Sequence, residues 1–116
     1  MGEVKRIRRG SRMSQAVVDR STIYLAGQVA DDRSLDVKGQ TLEVLNKIDS
    51  LLQEAGADKR QILTATVWLA DIRDFDAMNS VWDAWVARDD PPARACVESR
   101  LAQPDIRVEM QVVAAA

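Results

Sequence analysis

Apolar and polar positions alternate in two different rhythms along this chain, and each rhythm predicts a different element. Over 36–55, Val37, Thr41, Val44, Leu45, Ile48, Leu51, Leu52 and Ala55 recur at i, i+3, i+4, i+7, the single stripe of a helix with one buried face. Gly56 follows where a left-handed C-cap is wanted. A second helix is predicted to begin near Asp74, an acceptable N-cap, with Phe75, Met78, Val81, Trp82 and Trp85 at helical spacing. These aromatics read as core rather than as a stacking platform for bases. Pro91 and Pro92 cannot continue that helix and deliver the chain into extended structure.

Period-two alternation marks the strands. Positions 14–20 and 22–30 read as two β-segments around a turn at Asp19-Arg20-Ser21, with Gly27 inside the second. A mid-strand glycine marks either a bulge or the close approach of a ligand or another backbone. In 62–69 both faces are largely apolar, Ile62, Thr64, Thr66 and Trp68 on one and Leu63, Ala65, Val67 and Leu69 on the other, so this strand should be central and covered on both sides. Two further strands are expected at 93–101 and 106–114, joined by a turn around Gln103-Pro104-Asp105. The order ββ(β)-α-β-α-β-β predicts an α+β, two-layer domain with two helices on one face of a mixed β-sheet. No linker or repeat interrupts it, so residues 1–116 form one domain.

Composition narrows the chemistry. The chain has no histidine and one cysteine, which excludes a Ser-His-Asp triad, a Cys-His pair, a His-ligated metal and an internal disulfide. Sixteen basic against eighteen acidic residues leave a formal charge of −2, and the sequence pI of about 5.1 argues against nucleic acid as the default partner. With 47% apolar residues, 29% charged residues and a mean hydropathy of −0.22, the chain fits a soluble domain without membrane spans. The run Met1-Gly2-Glu3-Val4-Lys5-Arg6 lacks the apolar stretch of a secretory leader, so a cytoplasmic location is expected. A domain of 116 residues has little room for a deep pocket, so any such pocket is expected between subunits. The dense basic run 5–12 reads as a solvated edge strand, or as an anion or RNA contact.

The last two predicted strands carry the candidate chemistry. In each, apolar residues alternate with charged ones, and if the two strands pair, Arg94, Cys96, Glu98, Arg100, Arg107, Glu109 and Gln111 share the face away from the helices. That face is either solvated and laced with ion pairs or an interface. At a subunit boundary an arginine fork grips a carboxylate bidentately, and Glu109 could orient or deprotonate water.

Leu25-Ala26-Gly27-Gln28-Val29, Asp74-Phe75 with Met78-Asn79, and above all Pro92-Ala93-Arg94-Ala95-Cys96-Val97-Glu98 followed by Arg107-Val108-Glu109-Met110 resemble the RidA/YjgF family of enamine/imine deaminases. The resemblance runs over nearly the whole chain. It implies a chorismate-mutase-like fold, a homotrimer with sites in clefts between subunits, and hydrolysis of small reactive 2-imino acids such as 2-iminopropanoate and 2-iminobutanoate to 2-oxo acids and ammonia. By position, Arg94 would bind the substrate carboxylate beside the backbone N–H of Cys96, Glu109 would position the attacking water, and Gly27 would line the pocket by its backbone. No metal or organic cofactor is called for. Asn79 matches a helix asparagine frequent in the family. Many members carry Gly-Pro-Tyr-Ser-Gln-Ala where this chain has Ser11-Arg12-Met13-Ser14-Gln15-Ala16, so Met13 takes the place of a phenol in the substrate pocket and Arg12 offers a second cation. Two other readings stand beside the deaminase: a non-catalytic trimer that binds small carboxylates, and an RNA-binding, endoribonuclease-like protein.

Overall fold

The computed structural model describes residues 3–116; Met1 and Gly2, part of the run read above for a leader, lie outside the described residues. Seven strands, β1 (Lys5–Ile7), β2 (Ala16–Asp19), β3 (Thr22–Leu25), β4 (Gln28–Val29), β5 (Ile62–Leu69), β6 (Ala93–Glu98) and β7 (Val108–Ala115), form one sheet. Helices α1 (Val37–Glu54) and α2 (Phe75–Trp85) lie together on it. The strand order is β1-β2-β3-β7-β5-β6, with β4 also on β7, and every pair is antiparallel except β5 with β6. The sheet is mixed because β5, α2 and β6 make a β-α-β crossover, which returns the chain parallel to where it left.

Local chemistry explains the helix bounds. The Asp36 side chain accepts the Gly39 N–H at 2.9 Å and caps α1. At the other end Gly56 takes φ +85°, and the Ala57 N–H reaches back to the Leu52 carbonyl at 2.8 Å. Helix α2 begins directly after Asp74, as expected, but its entry is capped by another residue. Asp74 makes no capping hydrogen bond; Asp71 instead caps a short 3₁₀ turn over Ile72–Asp74 by accepting the Arg73 N–H. The Glu98 carboxylate accepts the Ile72 N–H at 2.9 Å, so the end of β6 fastens the entry to α2. Trp85 fixes α2 to α1 by donating its indole N–H to Asp49 at 2.9 Å.

Residues opposite one another on neighbouring strands project to the same face, so the registers fix two faces of the sheet. Ala65, Val67 and Leu69 of β5 are aligned with Val112, Met110 and Val108 of β7; all six are buried beneath the helices. Thr64, Thr66 and Trp68, with Val113, Gln111 and Glu109, occupy the open face. A register shift between Ile62 and Thr64 buries Ile62 and leaves Leu63 exposed, so these two exchange the faces that strict alternation assigned them. The molecule is a slab of 46 × 37 × 19 Å, and its 14.0 Å radius of gyration slightly exceeds the value of about 13 Å for a compact chain of this length. Among the described residues, helices cover one face of the sheet only. Tyr24 and Val97 on the other are 48% and 46% exposed.

The condition on which a shared charged face depended is not met. β6 and β7 do not pair; β5 stands between them. Nor do their charged positions share a face. Arg94, Cys96 and Glu98 are aligned with Ala65, Val67 and Leu69 and so project to the helix side, whereas Glu109 and Gln111 lie on the open side. The parallel crossover sets the register of β6 against β5, and that register turns Ala93, Ala95 and Val97 outward.

Candidate active site

Arg94 comes from the edge strand β6 and lies half-buried under α2. Its Nη1 donates to Asn79 Oδ1 at 2.8 Å and lies 3.9 Å from Met78 Sδ. The guanidinium carbon stands 4.9 Å from the Trp82 ring centre and 5.9 Å from that of Phe75, both within cation–π range. Phe75, Met78, Asn79 and Trp82 are spaced i, i+3, i+4, i+7, one stripe of α2. Among the described residues no acidic group pairs with Arg94, so its charge is held by a neutral amide and π-faces and stays free for an external anion. Cys96 lies two residues further along the same side of β6. Burial pushes its thiol up, with the nearby Arg94 charge opposing, so the sulfur is a neutral thiol rather than a nucleophile near neutral pH.

Glu109 sits on the open face, between Trp68 on β5 and Val29 on β4. Its carboxylate lies over Gly27, at the break between β3 and β4, so that a Cβ built on Gly27 would overlap Glu109 Oε2. The glycine therefore leaves room for that carboxylate and is not called for by φ, which lies outside the positive region. Three glutamines frame this break. Gln28, buried, donates to Gln15 Oε1 at 2.9 Å and to the Ala26 carbonyl at 3.1 Å, and Gln111 donates to the Leu25 carbonyl at 3.2 Å. The Ala26 N–H bonds the Gln15 carbonyl at 2.9 Å, tying the preceding arm to the same spot. Met13, half exposed on that arm, lines a shallow groove with Arg9 and Arg12.

The candidate residues thus fall into two half-sites. One contains Arg94 and Cys96 on the helix side of the edge strand; the other contains Gly27 and Glu109 on the open face, with Met13 on the adjoining arm. Strands lie about 4.8 Å apart, so the two β7-to-β6 steps across β5, together with opposite side-chain directions, keep Arg94 and Glu109 apart within one chain. A concavity of about 430 Å³ beside Glu98, Arg100 and Ile106 includes neither residue. Arg100 and Arg107 are exposed and outside both half-sites. Among the described residues no group of three or more Cys, Asp or Glu side chains is arranged to hold a metal ion, and no helix is long and apolar enough to cross a membrane. Sequence reading assigned Phe75 and Trp82 to the core alone; the i, i+3, i+4, i+7 stripe that marks them also carries Asn79, the one polar member of the set and the partner of Arg94.

Comparison with known proteins identifies the fold and the family. The family model described as endoribonuclease L-PSP matches residues 4–116. A RutC family protein from Haemophilus ducreyi is 43% identical over 112 residues, covering 97% of this chain and 96% of the relative. The RutC family protein YoaB of Escherichia coli is 40% identical, covering 97% of each chain. A member of the YjgF protein family from Neisseria meningitidis, 42% identical, superposes with a TM-score of 0.95 over 97% of this chain and 94% of that one. The two helices on a mixed sheet are the chorismate-mutase-like fold of these proteins, and the chain belongs to the YjgF/RidA family, whose members also bear the names RutC and endoribonuclease L-PSP.

Proposed function

We propose that this chain hydrolyses reactive 2-imino acids to 2-oxo acids and ammonia as a homotrimer, in clefts where Arg94 of one subunit faces Glu109 of the next. The observation that carries the reading is the Arg94 guanidinium, seated on Asn79 and Trp82, with no acid among the described residues paired to it. An arginine so placed suits a substrate carboxylate, gripped by its planar fork. Opposite-face placement of the two half-sites supports a shared cleft, because only a second subunit can bring the carboxylate to the arginine. The exposed apolar residues of the open face supply a surface for that contact.

The chemistry asks little of the protein. A protonated imine carbon is electrophilic already, and Arg94 fixes its neighbouring carboxylate. Water adds to the imine carbon while Glu109 accepts its proton and passes it to the carbinolamine nitrogen; as the C–N bond breaks, the hydroxyl oxygen forms the C=O of the 2-oxo acid and gives its proton to Glu109, and the departing ammonia takes that proton up as ammonium. Proximity and orientation account for the acceleration without a nucleophilic side chain. Cys96 contributes its backbone N–H and not its neutral thiol.

The test generates imines from amino acids with an amino-acid oxidase and follows their loss. Acceleration by the parent protein and its disappearance in Arg94→Ala are expected; equal rates for the two proteins refute the proposal. Light scattering should give three times the 12.9 kDa chain mass. The same arginine seat would serve a regulator that binds small carboxylates without turnover, which predicts saturable 2-oxo acid binding and no acceleration.

A further inference from the structure

Up to Met13, Lys5, Arg6, Arg8, Arg9 and Arg12 stand against Glu3 alone, in a chain whose overall charge is −2. Arg8, at φ 51°, turns back to pair with Glu54 on α1. Arg6, Arg9 and Arg12 pair with no acid among the described residues, and with Met13, Ser14 and Val17 they line a shallow groove of about 320 Å³. Its wall is fixed by hydrogen bonds. The Gly10 N–H donates to the Met13 carbonyl at 2.8 Å and the Gln15 N–H to the Ile7 carbonyl at 3.0 Å, while the Gln15 carbonyl accepts from Ala26 at 2.9 Å. That last bond ties the arm carrying the groove to Ala26, the chain neighbour of Gly27, over which the Glu109 carboxylate lies. Protection of an edge strand accounts for Lys5 and Arg6, which lie on β1; it does not account for Arg9 and Arg12, which lie beyond the end of that strand.

We propose that this groove is a second anion subsite of the same cleft, built by Arg9 and Arg12 with Arg6 behind them, which receives a negative group at the far end of the substrate. The preferred substrates are then imines of dicarboxylic amino acids rather than of small aliphatic ones. The inference rests on the reading of Arg94 and Glu109 above. The reaction is unchanged, since the distal carboxylate takes no part in bond making and serves only to hold and select.

Calorimetric titration of the full chain with two product-like acids, 2-oxoglutarate and 2-oxobutanoate, tests it. The parent should bind 2-oxoglutarate roughly three- to tenfold more tightly, the range that one or two exposed ion pairs supply. That ratio should collapse towards one in the double variant Arg9→Ala/Arg12→Ala and at high ionic strength, where exposed charges are screened. Equal binding of the two acids by the parent, or a preference that survives the double variant, overturns the subsite while leaving Arg94 in its role. Failure of both acids to bind, or binding unaffected by Arg94→Ala, refutes the reading of the cleft and the subsite with it. Salt-sensitive binding of a short single-stranded RNA without any preference between the acids also overturns the proposal.

Discussion

Replacing Gly27 by alanine isolates the placement of the Glu109 carboxylate from its presence. The added Cβ overlaps Glu109 Oε2 and stands 3.1 Å from Cδ and 3.5 Å from Cγ. Alanine meets no backbone penalty there, because Gly27 does not use a positive φ. The collision is with the free end of a half-buried side chain, so Glu109 swings aside and the strands stay where they are. An off-rotamer glutamate costs about 0.5–1.5 kcal/mol, which lowers the Tm by roughly 2–8 °C in a domain of this size. The catalytic penalty is larger. Moving a water-positioning group by about 1 Å costs on the order of a hundredfold in rate, equivalent to about 2.7 kcal/mol of barrier. Gly27→Ala should therefore depress kcat about a hundredfold in the oxidase-coupled assay and leave KM nearly unchanged, since Arg94 lies on the other half-site. The double variant with Glu109→Ala should be no slower than Glu109→Ala alone. A Gly27→Ala protein with kcat close to the parent, or a double variant in which the two losses multiply, would refute the placement of water by Glu109.

Three further outcomes follow from other parts of the fold. Asn79→Asp gives Arg94 an internal carboxylate that competes with the substrate, so KM should rise about tenfold or more without loss of Tm; an unchanged KM argues against Arg94 as the carboxylate receptor. Because burial raises the Cys96 thiol above its ordinary value, its contribution to stability is whole below the unfolded-state thiol pKa and is lost as pH rises through the folded-state value. Urea midpoints measured from neutral to alkaline pH should fall less steeply in Cys96→Ala than in the parent. Gln40, wholly buried, donates to the carbonyls of Leu35 and Asp105 and accepts the Arg107 N–H at 2.8 Å. Gln40→Leu strands those groups and should cost about 2–4 kcal/mol by urea denaturation.

Local patterns made much of this fold legible. The stripe of α1 with Gly56 behind it, the start of α2 beside Asp74 and the stop before Pro91 all follow from interactions within a few residues, and all appear where the sequence puts them. Sheet order does not follow from such interactions. Alternation along 93–98 distinguishes two faces but carries no mark of which one the helices cover, and here the alanine-valine face is the open one. That choice is made by the parallel crossover from β5, a long-range constraint. The same limit applies to the site. Arg94, Cys96, Gly27 and Glu109 were identifiable as residues, and the Glu109 carboxylate does lie over Gly27. The separation of Arg94 from Glu109 became visible only with the register of β6 and β7 on β5. Asn79 was legible as a position without a task, because its task depends on an arginine fifteen residues away that another element brings beneath it.

The opposite-face placement of Arg94 and Glu109 also bears on inheritance. In the proposed trimer each cleft draws its arginine from one polypeptide and its glutamate from another, so damage to one half leaves the other intact. Two alleles, one lacking Arg94 and one lacking Glu109, would each be inactive alone. Co-expressed in equal amounts and assembled at random, they would give about a quarter of the clefts both working halves. Such alleles complement one another, and a duplicated gene could lose either half without loss of the function while both copies assemble together.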